Sequence, residues 1–156
     1  MSIDDFWNEF LIKFGKDKSL KYMDAFHFHC TEKAANELLN LVLKGQKKAT
    51  SSSMLCYEIT GDKKPEVGDY SIVTNWNGEP KCVIETVKTT IVPFKDMTFQ
   101  ICKREGEDEN LEQWQRSHRE FFTAEGKELG YEFSQDMLVL FEDFRVVFTL
   151  EEAVSK

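Results

Sequence analysis

The sequence predicts an α+β fold, a small sheet with helices packed around it, and three observations lead to this prediction. Apolar residues recur at helical spacing in the first third of the chain and again after the acidic loop 105–109. Between them, β-rich segments are joined through Asn77-Gly78, the strongest short hairpin signal, which implies antiparallel pairing. With 156 residues, 41% of them hydrophobic, the chain has roughly the size of one domain and can bury a core. A small mixed β-barrel with peripheral helices is compatible with this order of elements.

Two helices are predicted before the first strand. The apolar stripe over residues 6–14 is typical of an amphipathic helix, and Gly15 ends it. Thr31 is a candidate N-cap for a second helix, and Gly45 is its natural C-terminal cap. Two more helices are predicted later in the chain, a short one over residues 96–104 and a longer one over residues 111–122.

Strands are predicted over residues 49–57, 70–76, 81–92 and 137–150, from β-tolerant, β-branched and aromatic side chains. Asn77-Gly78 connects the second of these strands to the third, and Pro93 ends the third. We expect the last strand to be bent or interrupted around Glu142-Asp143. No repeat, low-complexity tract or linker divides the chain, so residues 1–156 are expected to form a single domain.

The charge of the chain is negative and unevenly distributed. Lys and Arg number 20 against 28 Asp and Glu, which gives a formal net charge of -8. Residues 1–64 hold ten bases and nine acids, whereas residues 65–156 hold ten bases and nineteen acids. A strongly basic protein that coats nucleic acid is therefore excluded, because such binding depends on neutralising phosphates. Any polyanionic partner would have to meet the first half, so a long nucleic-acid track is not expected.

Several observations indicate a cytoplasmic protein. No apolar run approaches the roughly 18 residues that span a bilayer, so no membrane association is expected. The acidic and aromatic start of the chain is unlike a secretory signal. Cys30, Cys56, Cys82 and Cys102 form no Cys-x-x-Cys pair and are expected to be free thiols.

Three clusters of polar residues are candidate sites. The segment 27–30 (His-Phe-His-Cys) contains metal-ligand types, but no second ligand pair stands at a recognisable spacing, so neither a metal nor another cofactor is expected. Trp114 and His118 lie one helical turn apart and either line a pocket, where they could stack on a base, or lie at the edge of the core. Phe121 and Phe122, on the same face, are interpreted as core. The acidic loop 105–109 is either solvated or turns one carboxylate into a pocket.

The most informative stretch is residues 45–52, Gly-Gln-Lys-Lys-Ala-Thr-Ser-Ser. Turn N–H groups, an ammonium and several hydroxyls at one corner suit a phosphate, carboxylate or carbonyl oxygen. A partly desolvated Lys47 could also accept the proton of Thr50 and so activate a hydroxyl nucleophile. Taken by itself, the stretch is more typical of a helix end followed by a serine-rich edge strand with two solvated lysines.

At this stretch the sequence resembles the ASCH domain family, whose pattern is Gly-x-Lys-x-x-Thr-x-Arg. Gly45, Lys47 and Thr50 match the pattern, and Ser52 stands where arginine is expected. The resemblance continues through the segments 67–69, 82–86 and 133–139. It is closest to the bacterial type with an extra N-terminal helix and a Trp-x-x-x-His segment, here Trp114 and His118.

The resemblance implies a PUA-like barrel over residues 24–150, preceded by a helical extension over residues 1–23. It also implies an RNA- or nucleotide-related role, with a cleft rimmed by the Gly-x-Lys-x-x-Thr motif. The residues expected to bind the RNA or small nucleoside-like ligand are Gly45, Lys48, Ser51, Ser52, Trp114 and His118. The oligomeric state is left open.

A hydrolytic activity is the alternative that the resemblance implies. Compact members of the family deacetylate N4-acetylcytidine with a Lys, Thr and Glu set, and others resemble ribonucleases. By motif, this set corresponds to Lys47, Thr50 and Glu105, with Glu107 as the alternative carboxylate. Thr50 would attack the acyl carbon, Lys47 would take its proton, and Glu105 would protonate the leaving amine. Serine at position 52 removes a bidentate anion contact, which bears on the choice of substrate.

Overall fold

A five-stranded mixed sheet forms the centre of the computed structural model, which describes residues 1–149. Its strands are β1 (Ala25–Phe26), β2 (Ala49–Ser53), β3 (Tyr70–Thr74), β4 (Pro80–Pro93) and β5 (Leu138–Thr149), and their spatial order is β1-β3-β4-β5-β2. The helices are α1 (Ile3–Lys13), α2 (Glu32–Leu43), α3 (Met54–Thr60), α4 (Phe99–Cys102) and α5 (Leu111–Leu129). The predicted α+β fold with peripheral helices is confirmed.

The sheet curves into an incomplete barrel. Strand β4 pairs antiparallel with both β3 and β5, while β1 pairs parallel with β3 and β2 pairs antiparallel with β5. Phe26 of the edge strand β1 and Thr50 of the opposite edge strand β2 line one cavity, so the two edges of the sheet approach each other. The cleft described below therefore lies where the barrel is not closed by backbone pairing.

Helices cover the sheet with three hydrophobic clusters, one for each long helix. The clusters are Phe6, Trp7 and Phe10 of α1 with Ile72, Val83 and Phe148; Leu39 and Val42 of α2 with Val73, Ile84 and Phe144; and Trp114 and Phe122 of α5 with Phe94, Val139 and Phe141. Because α2 and α5 are anchored independently, the loops that follow α2 and precede α5 are held at fixed positions above the sheet. Among residues 1–149, no helix is long and apolar enough to cross a membrane.

The local signals for the first two helices and the hairpin are confirmed. The N-cap Thr31 accepts a hydrogen bond from the Ala34 amide at 3.2 Å. The helix α1 ends just before Gly15, whose φ of +59° lies in the left-handed region. The hairpin turns at Gly78, which has a φ of +84°.

The predicted strand over residues 49–57 is wrong beyond Ser53. The Ser53 hydroxyl accepts a hydrogen bond from the Cys56 amide at 3.1 Å, and this cap starts α3. Three adjacent serines suit an extended strand and a helix cap equally, so the sequence did not mark the boundary. The helix predicted over residues 96–104 is also wrong in extent: it is the short α4, flanked by the 3₁₀ turns Phe94–Asp96 and Lys103–Glu105.

Two further differences concern the strands. The two-residue strand β1 was not predicted, because it is too short to show a period and forms only by pairing with β3. Strand β5 is continuous at Glu142-Asp143, and the irregularity lies in β4, where the register shifts between Thr86 and Lys88. Residue 150, the predicted end of this strand, lies outside the described residues.

Candidate functional site

Lys47 is a buried cation surrounded by oxygen atoms. After α2, the Leu41 carbonyl accepts hydrogen bonds from the amides of Gln46 and Lys47, which turns the chain toward β2. The Lys47 side chain is 1% exposed, and its Nζ lies 2.7 Å from the Ala49 carbonyl oxygen, 2.6 Å from Glu107 Oε2 and 3.7 Å from Glu105 Oε1. Both carboxylates proposed from the sequence therefore contact this lysine.

The loop that carries the two glutamates fits tightly against the turn that carries the lysine. Gln46 Nε2 donates to the Gly106 carbonyl at 2.7 Å. Gly106 has a φ of +72°, and a Cβ at this position would collide with the Gln46 carbonyl oxygen. Only glycine meets both requirements, since it tolerates a positive φ and adds no side chain. This close approach directs Glu105 and Glu107 to the same ammonium group.

The carboxylate of Glu105 is surrounded by side chains that donate hydrogen bonds or carry positive charge. Its Oε2 accepts hydrogen bonds from Trp114 Nε1 at 2.6 Å and from Ser51 Oγ at 2.7 Å, and its Oε1 lies 3.5 Å from His118 Nε2. The imidazole of His118 stacks on Trp114 with ring centroids 4.3 Å apart, and its Nδ1 lies 2.9 Å from the Trp114 carbonyl oxygen. Both ring nitrogens of His118 thus face oxygen acceptors, an arrangement that suits an imidazolium.

These contacts shift the pKa values of Glu105 and His118 in opposite directions. Burial alone raises the pKa of Glu105, but the hydrogen bond and charge of His118, the charge of Lys47 and the Trp114 hydrogen bond outweigh it and bring this pKa to about 2. Burial lowers the pKa of His118, and the hydrogen bond and charge of Glu105 more than reverse this, so the net shift is upward. Glu105 is therefore an ionised carboxylate in this structure.

A cavity of about 160 Å³ opens onto this cluster. It brings together six residues proposed from the sequence: Lys47, Thr50, Ser51, Glu105, His118 and the alternative carboxylate Glu107. Chemically, the wall combines an ammonium, two carboxylates, the imidazole of His118 and the three hydroxyls of Thr50, Ser51 and Ser117, the kinds of group that acid–base and nucleophilic catalysis require.

Three aromatic residues of this cavity were not identified as site residues from the sequence. Phe28 lies beneath the Lys47 ammonium, with Nζ 5.2 Å from the ring centroid. His29 and Phe121 also line the cavity, and their ring centroids are 6.3 Å apart. The interpretation of Phe121 as core is wrong, since the residue is 36% exposed; that of Phe122 is confirmed. The sequence signal for Phe28 and His29 was the aromatic character of the segment 27–30, and the signal for Phe121 was its position on the predicted helix face of Trp114 and His118.

A second cavity of about 420 Å³ adjoins the first, and Thr50 and Ser51 belong to both. Ser52 lines this second cavity, and its Oγ lies 2.8 Å from the hydroxyl of Tyr57. Glu142 of β5 also lines it, and nothing in the sequence had marked this residue as part of a site. The two cavities are thus adjacent at Thr50 and Ser51 of β2, and together they are called the cleft.

The remaining predicted site residues lie elsewhere. Gly45 and Lys48 are exposed and line a third cavity of about 290 Å³ between α2 and β5, which Lys47 also lines. Trp114 is fully buried, so its ring lies behind the wall of the cleft, with one face against His118.

The chain is similar to known proteins both in its sequence family and in its structure. The model of the ASCH domain matches residues 24–148. An ASCH domain from Lactobacillus crispatus JV V101 is 33% identical, with 93% of each chain covered and a TM-score of 0.84. A protein from Enterococcus faecalis V583 is 29% identical over 99% of this chain and 93% of that chain, with a TM-score of 0.89. A third solved structure, of a hypothetical protein, shares only the fold, at 16% identity and a TM-score of 0.52. No curated protein sequence matches.

Proposed function

The chain belongs to the ASCH domain family, and we propose that its cleft hydrolyses the amide bond of a small acylated nucleoside of the N4-acylcytidine type. The observation that carries this proposal is the convergence of Lys47, Thr50 and Glu105 on one cavity. These are the residues that correspond to the Lys, Thr and Glu set of the compact amidohydrolases that the sequence resembles.

The dimensions of the cleft support a substrate of this size. The cavities of about 160 and 420 Å³ meet at Thr50, so an acyl group on one side and a base with its sugar on the other would place the amide beside the hydroxyl. The aromatic rings of Phe28, His29 and Phe121 offer faces for a planar base. The acidic net charge favours such a neutral ligand over a long RNA.

In the first step, Thr50 Oγ1 attacks the acyl carbon and Lys47 takes the hydroxyl proton. Lys47 can act as a base after passing a proton to Glu107, whose Oε2 lies 2.6 Å from Nζ. Glu105 keeps the lysine in place, at 3.7 Å, and carries the negative charge that balances His118. A role of Glu105 as the acid for the leaving amine requires that it first acquire a proton.

The test is release of cytidine from N4-acetylcytidine by the purified protein, measured by chromatography. We expect turnover by the wild type and a loss of about 10³-fold or more in Lys47→Ala and Thr50→Ala, because a base or nucleophile contributes this much. Lys48→Ala is the matched control, since this neighbouring lysine is exposed and faces a different cavity. Its rate should equal that of the wild type.

Binding without hydrolysis is the second candidate, and the large cavity beside Thr50 favours it. In that case, cytidine and short RNAs would bind measurably while N4-acetylcytidine remained intact. Turnover that survives both Lys47→Ala and Thr50→Ala would contradict the hydrolytic mechanism.

A further inference from the structure

Two carboxyl groups flank β2, and they lie on opposite faces of the strand. Successive side chains of a strand point to opposite faces, so Thr50 and Ser51 diverge. Ser51 Oγ donates to Glu105 at 2.7 Å, which places Glu105 on the face of Ser51. Thr50 is paired with Glu142 in the antiparallel β2–β5 ladder, and directly opposed residues share a face with their Cβ atoms roughly 4.5–5.5 Å apart. The carboxyl group beside the Thr50 hydroxyl is therefore that of Glu142.

The surroundings of Glu142 differ from those of Glu105. Glu142 is partly buried and lines the cavity of about 420 Å³ together with Thr50. Thr86 Oγ1 donates to Glu142 Oε2 at 2.7 Å, and within residues 1–149 this is the only hydrogen bond of the carboxyl group, which has no ion pair there. One carboxyl oxygen thus stays available to a molecule in the cleft.

These surroundings favour the protonated form. Burial raises the pKa of Glu142, and the Thr86 hydrogen bond only partly opposes the increase. The charged groups that influence it are Asp69 and Asp143, which raise the pKa, and Lys47, which lowers it. The other titratable groups facing the same cavity are Asp24, Cys56, Tyr57, Asp62 and Lys63. A carboxyl group whose pKa is raised and a nearby carboxylate whose pKa is lowered are the kind of pair that acid–base chemistry uses.

We propose that Glu142, and not Glu105, is the catalytic acid of this site, and that it protonates the nitrogen that Thr50 displaces. The assignment rests on the proposed amidohydrolase function and specifies its second carboxyl group. With this assignment, the nucleophile Thr50 and the proton donor Glu142 lie on the same face of β2 and line the same cavity. Glu105 is then a positioning residue, which holds Lys47.

The reaction balances with these groups and one water molecule. Thr50 Oγ1 forms an ester bond with the acyl carbon, its proton passes to Lys47, and the C–N bond breaks as Glu142 gives its proton to the leaving nitrogen. A water molecule then attacks the ester and gives one proton to the Glu142 carboxylate. The Thr50–acyl bond breaks, Lys47 returns its proton to Thr50, and the acid is released.

The experiment compares two substrates that differ in their need for an acid. N4-acetylcytidine loses an amine and requires protonation, whereas p-nitrophenyl acetate loses nitrophenolate, which leaves without a proton. We expect Glu142→Gln to slow the hydrolysis of N4-acetylcytidine about 10²-fold. The same variant should release the first equivalent of nitrophenolate from p-nitrophenyl acetate at close to the wild-type rate, because this step uses Thr50 and Lys47 but needs no proton from Glu142, while Thr50→Ala should lose both activities.

Thr86→Val provides a second measurement that a merely structural role would not affect. Loss of the hydrogen bond to Oε2 removes a contact that lowers the pKa of Glu142, so this pKa should rise. Because the acid must be protonated, the falling limb of kcat against pH should move to higher pH in Thr86→Val and be absent in Glu142→Gln.

The outcomes separate the two proposals. A wild type that turns over N4-acetylcytidine while Glu142→Gln matches it, or while Glu142→Gln slows the first release of nitrophenolate as much as it slows N4-acetylcytidine, overturns the role of Glu142 and leaves the amidohydrolase function standing. A wild type without any turnover of N4-acetylcytidine overturns the proposed function and this assignment together.

Discussion

The two sides of the cleft contain the same acidic residue in opposite environments. On one side, Glu105 is buried among Lys47, His118 and the Trp114 indole, and its pKa falls to about 2. On the other side, Glu142 has the Thr86 hydroxyl as its hydrogen-bond donor, and its pKa is raised. Burial acts in the same direction on both residues. The difference comes from His118, Lys47 and Trp114, which lower the pKa of Glu105, and from Asp69 and Asp143, whose charges raise the pKa of Glu142.

The comparison shows how buried charge is tolerated here. An ionised carboxylate without partners would be strongly destabilising in the core. Glu105 is stabilised by hydrogen bonds from Ser51 and Trp114 and by the nearby Lys47 and His118. Within residues 1–149, no buried side-chain nitrogen or oxygen lacks a hydrogen-bond partner. On the charged side of the cleft, Glu105, Lys47, His118 and Trp114 thus form a network in which each polar group is stabilised by the others. Glu142, in contrast, has only the hydrogen bond from Thr86 in the described part of the chain.

The largest expected effect is that of Glu105→Gln, which would break the network. Removing the charge leaves Lys47 and His118 without their buried counterion, and we expect the free energy of unfolding at pH 7 to fall by about 3 kcal/mol. Glu107→Gln is the matched control, because Glu107 contacts the same ammonium but is 26% exposed, and its loss should amount to about 1 kcal/mol or less. Urea unfolding measures both, and equal losses would contradict the distinction.

A smaller effect is expected for Trp114→Phe, which keeps an aromatic ring and removes the hydrogen bond to Glu105. A hydrogen bond to a charged group contributes about 1.5–3 kcal/mol, and one between neutral groups about 1 kcal/mol. Trp7→Phe is a suitable control, since Trp7 Nε1 donates to a neutral acceptor, the Leu20 carbonyl, at 2.9 Å. Thermal unfolding of the two variants should show the larger loss at Trp114, and the reverse order would contradict an ionised Glu105.

The smallest effect is expected for Glu142→Gln, whose free energy of unfolding at pH 5 should stay within about 1 kcal/mol of the wild-type value, because glutamine can still accept the Thr86 hydrogen bond.

The difference between the Glu105 side and the Glu142 side of the cleft should instead appear in the pH dependence of stability. The lowered pKa of Glu105 gives stability that is complete above its unfolded value of 4.5 and is lost as the pH falls toward 2. The raised pKa of Glu142 has the opposite sign, so stability falls as the pH rises from 4.5 through the folded value.

Urea unfolding at a series of pH values tests this contrast. Glu105→Gln should remove the loss of stability on the acidic side, and Glu142→Gln should remove the decrease above pH 4.5. Identical pH profiles for the wild type and Glu142→Gln would show that Glu142 titrates normally.

Parts of the fold were predictable because their signals are local. Thr31 acts through a hydrogen bond between its side chain and the third residue after it, Gly15 and Gly78 act through their own backbone geometry, and the amphipathic stripes of α1, α2 and α5 need only a fixed helical period. The boundary at Ser53 was not predictable, because serine serves a strand and a helix cap equally well. Strand β1 was not predictable either, since two residues show no period.

The candidate site was partly predictable as well. The motif identified Lys47 and Thr50 as neighbours, and the resemblance identified the glutamates 105 and 107. Whether Lys48 pointed into the same cavity could not be read from the sequence, because adjacent residues in a turn can diverge. Glu142 gave no signal, since a single glutamate within an apolar strand is common at a solvent-facing position.

By itself, the sequence determined the family, the α+β class, the main helices and hairpin, and the acidic charge that limits the size of any nucleic-acid ligand. Only the tertiary structure decided which side chains meet: the fit of Gly106 against Gln46 directs two glutamates to Lys47, and the β2–β5 register places Glu142 beside Thr50. The physical reason is the distance along the chain over which each kind of interaction acts. Propensity, capping and turn geometry act over a few residues, whereas the protonation state of a carboxyl group depends on donors and charges that come from distant parts of the chain.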